Sequence, residues 1–348
     1  MTALLRIGTR GSALALCQAR CVAGMLQAAG MQPELVIIKT TGDRIQDAPL
    51  TEAGGKRLFV KEIEDALIAG TVDLAVHSAK DMPAALAEGL AVAATLGRED
   101  PSDAFVSRGS SRTDPETERR SSLTDPDTER GSSRVDPPAD AARSPVFDPR
   151  VLREMFNTGL RICTGSVRRT AQLRSVFPRA SFAQIRGNVD TRLRKLDEGG
   201  YDALVLAAAG LRRLGLGERI TAVLPVEQCV PAPGQGIIAI ETRADDRDTQ
   251  RLLGPLNDAR AWSSLRAERA LVAALGGGCQ LPLGGLALHD GGALEMHAVV
   301  ATPDGQRVLR RRGRAPVADA ESLGLRLAEE LLNDGAGDIL DAVRKEPE

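Results

Sequence analysis

Short apolar runs alternate with helical segments along most of this chain, and that alternation restricts the fold more than any other feature. Leu4 to Gly8 reads as a buried strand, and Ser12 is placed to cap a helix running through Ala19, Val22 and Leu26 towards Gly30. Leu35 to Ile38 is a second strand. Lys56 to Ala69 patterns as an amphipathic helix, with Phe59, Ile63 and Leu67 on one face and Lys61, Glu62 and Glu64 on another. Val72 to Val76 is a third strand, ending at His77-Ser78. The pattern resumes with strands at Leu160–Thr164, Ser181–Ile185 and Asp202–Ala207, and helices at Val167–Val176 and Val189–Leu196. Another strand, Ile237–Glu241, is entered through the rigid turn Pro231-Ala-Pro-Gly-Gln-Gly236. Such alternation specifies α/β units with largely parallel sheets, in which ligands gather at the carboxyl ends of the strands. From about 259 the style changes to a long helix ending at Leu275, a Gly-rich loop, strands near 293–301 and 306–312, and a helix near 319–333, which reads as a small α+β domain. The 348 residues suit about two or three domains. With 2% aromatic residues, their cores must be aliphatic.

Residues 108–144 do not fit the pattern. Ser110-Ser111, Ser121-Ser122 and Ser132-Ser133 open three eleven-residue units, each carrying a proline (Pro115, Pro126, Pro137). Seven Arg face eight acids there with almost nothing apolar, so the segment cannot bury enough surface to offset its chain entropy and reads as a disordered, solvated insert. No apolar run approaches the ~20 residues of a membrane span, and Arg6 and Arg10 interrupt what would be a signal-peptide core. Five widely spaced cysteines without a CxxC pair suit a reducing cytoplasm, and neither they nor the three histidines have metal-ligand spacing. A net charge of -2 argues against coating nucleic acid.

Against that near-neutral balance, Arg161 to Lys195 holds eight Arg and one Lys with a single acid, Asp190. Its basic residues sit at strand-to-helix junctions. Arg168-Arg169 follows Thr164-Gly165-Ser166, and Arg186 precedes Gly187-Asn188. Helix N-termini favour anions, and the Arg fork grips carboxylate or phosphate through two bonds. The segment reads as a solvated basic face or as a site for a small polyanion. Only Phe177 and Phe182 could stack on bases, which disfavours nucleic acid. Lys80 and Asp81, just past the third strand, stand at the ligand-facing rim, where an aspartate serves either as a turn residue or as a lone carboxylate for proton handling and cation stabilisation. Arg10 and Ser12 occupy the equivalent rim after the first strand. Cys279, preceded by three glycines, is either structural or a reactive, modifiable thiol. There is no P-loop, GxSxG, HExxH or GxGxxG.

Taken together these segments resemble the porphobilinogen deaminase (hydroxymethylbilane synthase) family. The resemblance rests on RIGTRGSALAL (6–16), GGKRLFVKEIE (54–64), DLAVHSAKDMP (73–83), REDPSDAFVS (98–107), TGSVRR (164–169), the run 186–216 beginning RGNVDTRLRKL, PAPGQG (231–236) and GGGCQLPLGG (276–285), in order along essentially the whole chain outside the insert. It implies a transferase of porphyrin and heme biosynthesis that joins four porphobilinogen molecules head to tail, releasing ammonia at each step, to give 1-hydroxymethylbilane. It also implies a dipyrromethane cofactor bound through a thioether to Cys279, and Asp81 as the catalytic carboxylate. Lys80, Thr164, Ser166, Arg168, Arg169, Arg186 and Asn188 match the family's cofactor-binding positions, and Arg10, Ser12, Arg186 and Arg192 its substrate-binding positions. Every pyrrole ring brings an acetate and a propionate, which accounts for a cleft rich in Arg, each charge-assisted contact being worth ~1.5–3 kcal/mol before entropy costs.

The implied architecture is two periplasmic-binding-protein-like α/β lobes plus a small C-terminal α+β domain. The first lobe comprises 1–100 and 237–254, the second 101–107 and 145–231, and the third domain 259–345. The resemblance further implies a cytoplasmic monomer with no metal, nucleic acid or membrane partner. The chain departs from the family pattern at Cys163, Gly165, Arg57 and Gly276. The rival readings are a non-catalytic polyanion-binding protein and a degenerate paralogue on the same fold. Loss of Arg168 or Arg169 is expected to harm cofactor assembly or chain growth more than folding.

Overall fold

The computed structural model describes residues 4–41, 60–109, 159–278 and 280–345. The insert at 108–144 therefore lies outside the described residues from 110 onward, as do the expected first residues of the Lys56–Ala69 helix, which is observed as Lys61–Ile68.

Two five-stranded sheets share one plan. The first is built from β1 (Leu4–Thr9), β2 (Gln32–Ile37), β3 (Leu74–Ser78), β4 (Leu90–Thr95) and a later strand, β10 (Ile238–Arg243), in the order β2-β1-β3-β10-β4. The second takes β5 (Asp103–Ser107), β6 (Arg161–Cys163), β7 (Ser181–Ala183), β8 (Ala203–Ala207) and β9 (Ala222–Val223) in the order β7-β6-β8-β5-β9. In each sheet four strands run in one direction and the fourth in order alone runs against them, pairing antiparallel with both neighbours. The fourth strand is the one the chain reaches after leaving the other sheet. Two connections therefore cross between the sheets, and they run side by side: Leu96 N donates to Ile238 O at 3.0 Å and Glu99 N to Gly236 O at 3.0 Å.

Local chemistry sets the elements. Ser12 caps the helix Ala13–Ala28 by accepting from Ala15 N, and Ser166 caps Val167–Val176 by accepting from Arg169 N. Inward-facing aliphatic side chains fill the cores: Ile7, Val22, Leu26, Leu74 and Ile240 in the first lobe, and Leu193, Leu196, Leu204 and Leu211 in the second. In the second lobe's core Phe105 and Phe177 meet with ring centroids 6.3 Å apart.

The third sheet is an antiparallel meander of β11 (Leu283–Asp290), β12 (Ala293–Ala301) and β13 (Val308–Pro316). Helices Ala259–Ala274, Ala320–Asn333 and Ala336–Lys345 pack around it through Leu271, Met296, Leu323, Leu327 and Ile339. The described residues thus form the expected mixed α/β class with a small C-terminal α+β unit. Strands β4, β9 and β11 and the helices Ala208–Arg213, Arg247–Leu253 and Ala336–Lys345 are additions to the elements that patterning picked out.

Candidate active site

Asp81 ends a single 3-10 turn, Ala79–Asp81, that leaves β3 at its carboxyl end. It is exposed and borders two cavities. The larger holds about 890 Å³ of atom-free space, part of it open to solvent. All three domains wall it: Lys80 to Ala84 from the first, Ser166, Arg168 and Arg169 from the second, and Leu265, Arg269, Gly278 and Leu281 from the third. The smaller cavity brings Arg10 and Ser12 together with His77, Ser78 and Asp81. Cys279 lies outside the described residues. Its neighbours Gly278 and Leu281 both line the larger cavity.

Electrostatically the larger cavity is cationic. Asp81 is the one acid among its described lining residues, against Lys80, Arg168, Arg169 and Arg269. Burial pulls the Lys80 ammonium down to about 8, partly offset by Asp81. Its Nζ reaches Gln235 Oε1 at 3.4 Å.

Arg168 and Arg169 are 4% and 5% exposed, and both turn inward onto the fully buried Asp103. Arg168 Nη1 meets Asp103 Oδ2 at 2.7 Å and Arg169 Nη2 meets Oδ1 at 2.8 Å. Burial works to raise the Asp103 carboxyl, but the two guanidiniums more than reverse this and hold it well below the ordinary carboxylate range. Arg168 also donates to Val230 O at 2.7 Å, Arg169 to Val205 O at 3.0 Å, and Gln235 Nε2 to Asp103 Oδ1 at 2.9 Å. These two arginines therefore support the cavity wall as well as lining it. Their loss therefore costs stability in addition to whatever it costs cofactor assembly or chain growth.

The other basic candidates are dispersed. Arg192 donates Nε to Gly187 O at 2.7 Å. Burial, with Arg169 adding repulsion, brings its guanidinium down to about 10, and Asp81 acts on it favourably. Arg186 is half-buried, and Asn188 is exposed at the start of the helix Val189–Asp197 without making a side-chain cap. Neither these three nor Thr164 borders the two cavities. The buried Thr164 hydroxyl accepts from Ser166 N at 3.3 Å, shaping the turn.

The departures from the resembled pattern have local reasons. Cys163 is buried in the second lobe's core, where burial pushes its thiol up to about 11. A Cβ on Gly165 would stand 2.9 Å from Ile185 O. Gly276 ends the helix Ala259–Ala274 at φ +61°, the left-handed conformation a helix C-terminus favours, and Arg344 donates to its carbonyl at 2.8 Å. Arg57 lies outside the described residues.

Sequence reasoning singled out neither Asp103 nor Gln235, although both lie within the quoted segments REDPSDAFVS and PAPGQG. It also passed over Glu268, which accepts from Arg98, Gly234 N and Ala287 N, and Arg269, whose guanidinium holds the carbonyls of Pro83 and Ala84.

A two-lobed α/β frame, a third domain completing the cavity, one rim carboxylate and a surplus of buried cationic groups define an enzyme class that handles a polycarboxylate at a domain junction. The chain belongs to the porphobilinogen deaminase family. The family model described as "Porphobilinogen deaminase, dipyromethane cofactor binding domain" matches residues 5–124 and 134–251, and "Porphobilinogen deaminase, C-terminal domain" matches 262–333. The chain is 42% identical to a porphobilinogen deaminase of Syntrophobacter fumaroxidans and 43% identical to one of Acidithiobacillus ferrooxidans, with 98% of each chain covered in both cases. Among solved structures it is similar to the periplasmic aliphatic sulphonate binding protein SsuA from Escherichia coli, at 11% identity and a TM-score of 0.38, covering 100% of this chain and 93% of that one.

Proposed function

We propose that Asp81 is the catalytic carboxylate of this chain and that Cys279 carries its dipyrromethane cofactor through a thioether. Family membership makes the chain a transferase of tetrapyrrole biosynthesis that polymerises porphobilinogen. The observation that carries the assignment of residues is the one carboxylate among the described residues lining a cationic cavity whose wall also includes Gly278 and Leu281, on either side of Cys279 in sequence.

The residues present fit a carboxylate-laden group. Lys80 and the Arg168-Arg169 pair give one wall of the cavity positive potential, and Ser166 adds a hydroxyl. When bound, the cofactor supplies a covalently held pyrrole to which substrate rings are added. Loss of ammonia from porphobilinogen leaves an electron-poor methylene pyrrolenine. Asp81 stabilises that developing cation, holds the proton of the pyrrole nitrogen and passes a proton to the departing amine. Arg10 and Ser12, which meet Asp81 in the smaller cavity, bind the incoming ring's side chains. Arg186 and Arg192, which border neither cavity, are assigned to the same role from the family's substrate-binding positions. Thr164, Asn188 and the basic residues of the second lobe hold the cofactor and the growing chain.

The protein works as a cytoplasmic monomer without nucleic acid. Cys17, Cys21, Cys163 and Cys229 are free thiols, as suits a reducing compartment. No helix among the described residues is long and apolar enough to cross a membrane.

Intact mass and ammonia release test the reading. The parent protein should carry the added mass of two linked pyrroles, and Cys279→Ser should not. Asp81→Asn should fold, keep a mass increment and lose at least ~100-fold in turnover, the scale of one preorganised electrostatic group. An unmodified parent after incubation with porphobilinogen, or near-normal turnover by Asp81→Asn, overturns it.

A further inference from the structure

The turn that carries Asp81 rests on a helix of another domain. Ala79 and Met82 pack against Ala261 and Leu265 of the helix Ala259–Ala274. One helical turn beyond Leu265, Arg269 donates Nη1 to Pro83 O at 3.0 Å and Nη2 to Ala84 O at 2.8 Å. The opposite end of the same segment begins at His77, whose Nε2 lies 3.0 Å from a carboxylate oxygen of the fully buried Glu241. Glu241's charge also acts on Arg269, favouring the guanidinium against burial. The helix that presents Arg269 ends at Ala274 and leads straight into Gly276-Gly277-Gly278, the last of which lines the cavity.

We propose that Arg269 is a positioning residue: by gripping two consecutive carbonyls behind Asp81, it holds that carboxylate in register with the cofactor-bearing loop launched by its own helix. The inference rests on the reading of Asp81 given above. A loop following a 3-10 turn has few constraints of its own, and a carboxylate that must meet a developing cation loses effect steeply with misplacement, about 100-fold for 1 Å. Charge-assisted bonds are roughly twice as strong as neutral ones. The planar fork reaches both carbonyls at once, whereas an ammonium acts as a point charge.

The test uses cofactor-loaded Arg269→Gln and Arg269→Lys beside Asp81→Asn and the double variant Asp81→Asn/Arg269→Gln. Arg269→Gln is expected to retain the cofactor mass and a KM within about 2-fold of the parent, while kcat falls about 10- to 100-fold. Arg269→Lys should recover part of that loss. In the Asp81→Asn background, Arg269→Gln should cost less than about a further 2-fold, because it acts through that carboxylate. Should Arg269→Gln not fold, Arg269→Lys carries the same comparison, with a kcat loss that vanishes in the Asp81→Asn background. Parental kcat in the single Arg269 variants, or an equal loss in both backgrounds, overturns the proposal. An active Asp81→Asn overturns the reading of Asp81 itself, and the positioning role with it. An inactive Asp81→Asn beside a fully active Arg269→Gln overturns only the positioning role.

Discussion

Lys80 shows how a single residue couples the site to the solvent. Its ammonium is brought down from its ordinary 10.5 to about 8, chiefly by burial. The folded chain therefore gives up that proton more readily than the unfolded chain does. Between about pH 8 and 10.5 the unfolded state binds more protons at Lys80, so this residue's contribution to stability rises with pH across that window. Below about pH 8 the cost of the buried ammonium is present in full. Urea denaturation of cofactor-free protein should show the parent gaining stability relative to Lys80→Met across that window, while the fall contributed by the buried Cys163 and Cys229 thiols is common to both. Parallel pH profiles for the two would contradict it. Gly236 makes a purely steric case. It adopts φ +88°, and a Cβ there would lie 2.3 Å from Glu99 O on the neighbouring crossing segment. Gly236→Ala must therefore push the two crossings apart. It should lower the melting temperature and the fraction of protein that acquires the cofactor, whereas an exposed change such as Glu227→Ala should do neither.

At the scale of elements, the strongest tie in the second lobe joins β5 to the helix Val167–Val176 through Asp103, Arg168 and Arg169. Removing Arg168 leaves Asp103 with Arg169 and Gln235 but deprives Asp103 Oδ2 and Val230 O of their guanidinium donor, and breaking a buried pair outright, at about 3–5 kcal/mol, sets the upper bound. Arg168→Leu should lose stability within that bound in urea denaturation, and a loss under ~1 kcal/mol would show the cluster to be dispensable. The charge of the segment 161–195 was legible in sequence, but not its direction. The partner of Arg168 lies 65 positions earlier, and no local pattern distinguishes an arginine facing a ligand from one facing a buried aspartate. Elements followed the same rule. Val167–Val176 was legible at both ends because a serine cap and apolar spacing mark it. Strand β11 was hidden by Gly284-Gly285, which break its apolar run. Those glycines are required by tertiary contact, since Cβ atoms there would stand 2.7 Å from Val230 O and 2.8 Å from Leu271 Cδ2. Strand β4, LAVAAT, lacks the β-branched alternation that announces a strand. Asp81 and Lys80 were legible as rim residues because they end a strongly apolar strand. Arg269 was not, because its partners are backbone carbonyls of another domain.

Over the whole molecule, the three domains meet at one buried carboxylate. Glu268, on the third domain's first helix, takes Arg98 Nη1 at 2.6 Å and Nη2 at 3.2 Å, Gly234 N at 2.6 Å and Ala287 N at 2.8 Å. Arg98 belongs to one crossing segment and Gly234 to the other, and Arg98 also donates Nε to Gln235 O at 2.9 Å. Gln235 in turn donates to Pro101 O and Asp103, carrying the connection into the second lobe. Glu268 therefore anchors the third domain to both crossing segments while serving as counter-charge to a buried guanidinium. Glu268→Gln keeps the shape but removes the charge, and its amide NH2 must face one of the donors that the carboxylate accepted. The expected cost is about 3–5 kcal/mol, the scale of breaking a buried pair. That cost falls on the contacts between domains rather than on any one core. Calorimetry of the parent should give one transition. In Glu268→Gln the third domain should separate as an earlier transition, accompanied by faster proteolysis between 254 and 262. A single, unshifted transition in the variant would mean that apolar packing alone holds the domains together and that Glu268 sets only the local geometry of the crossing segments.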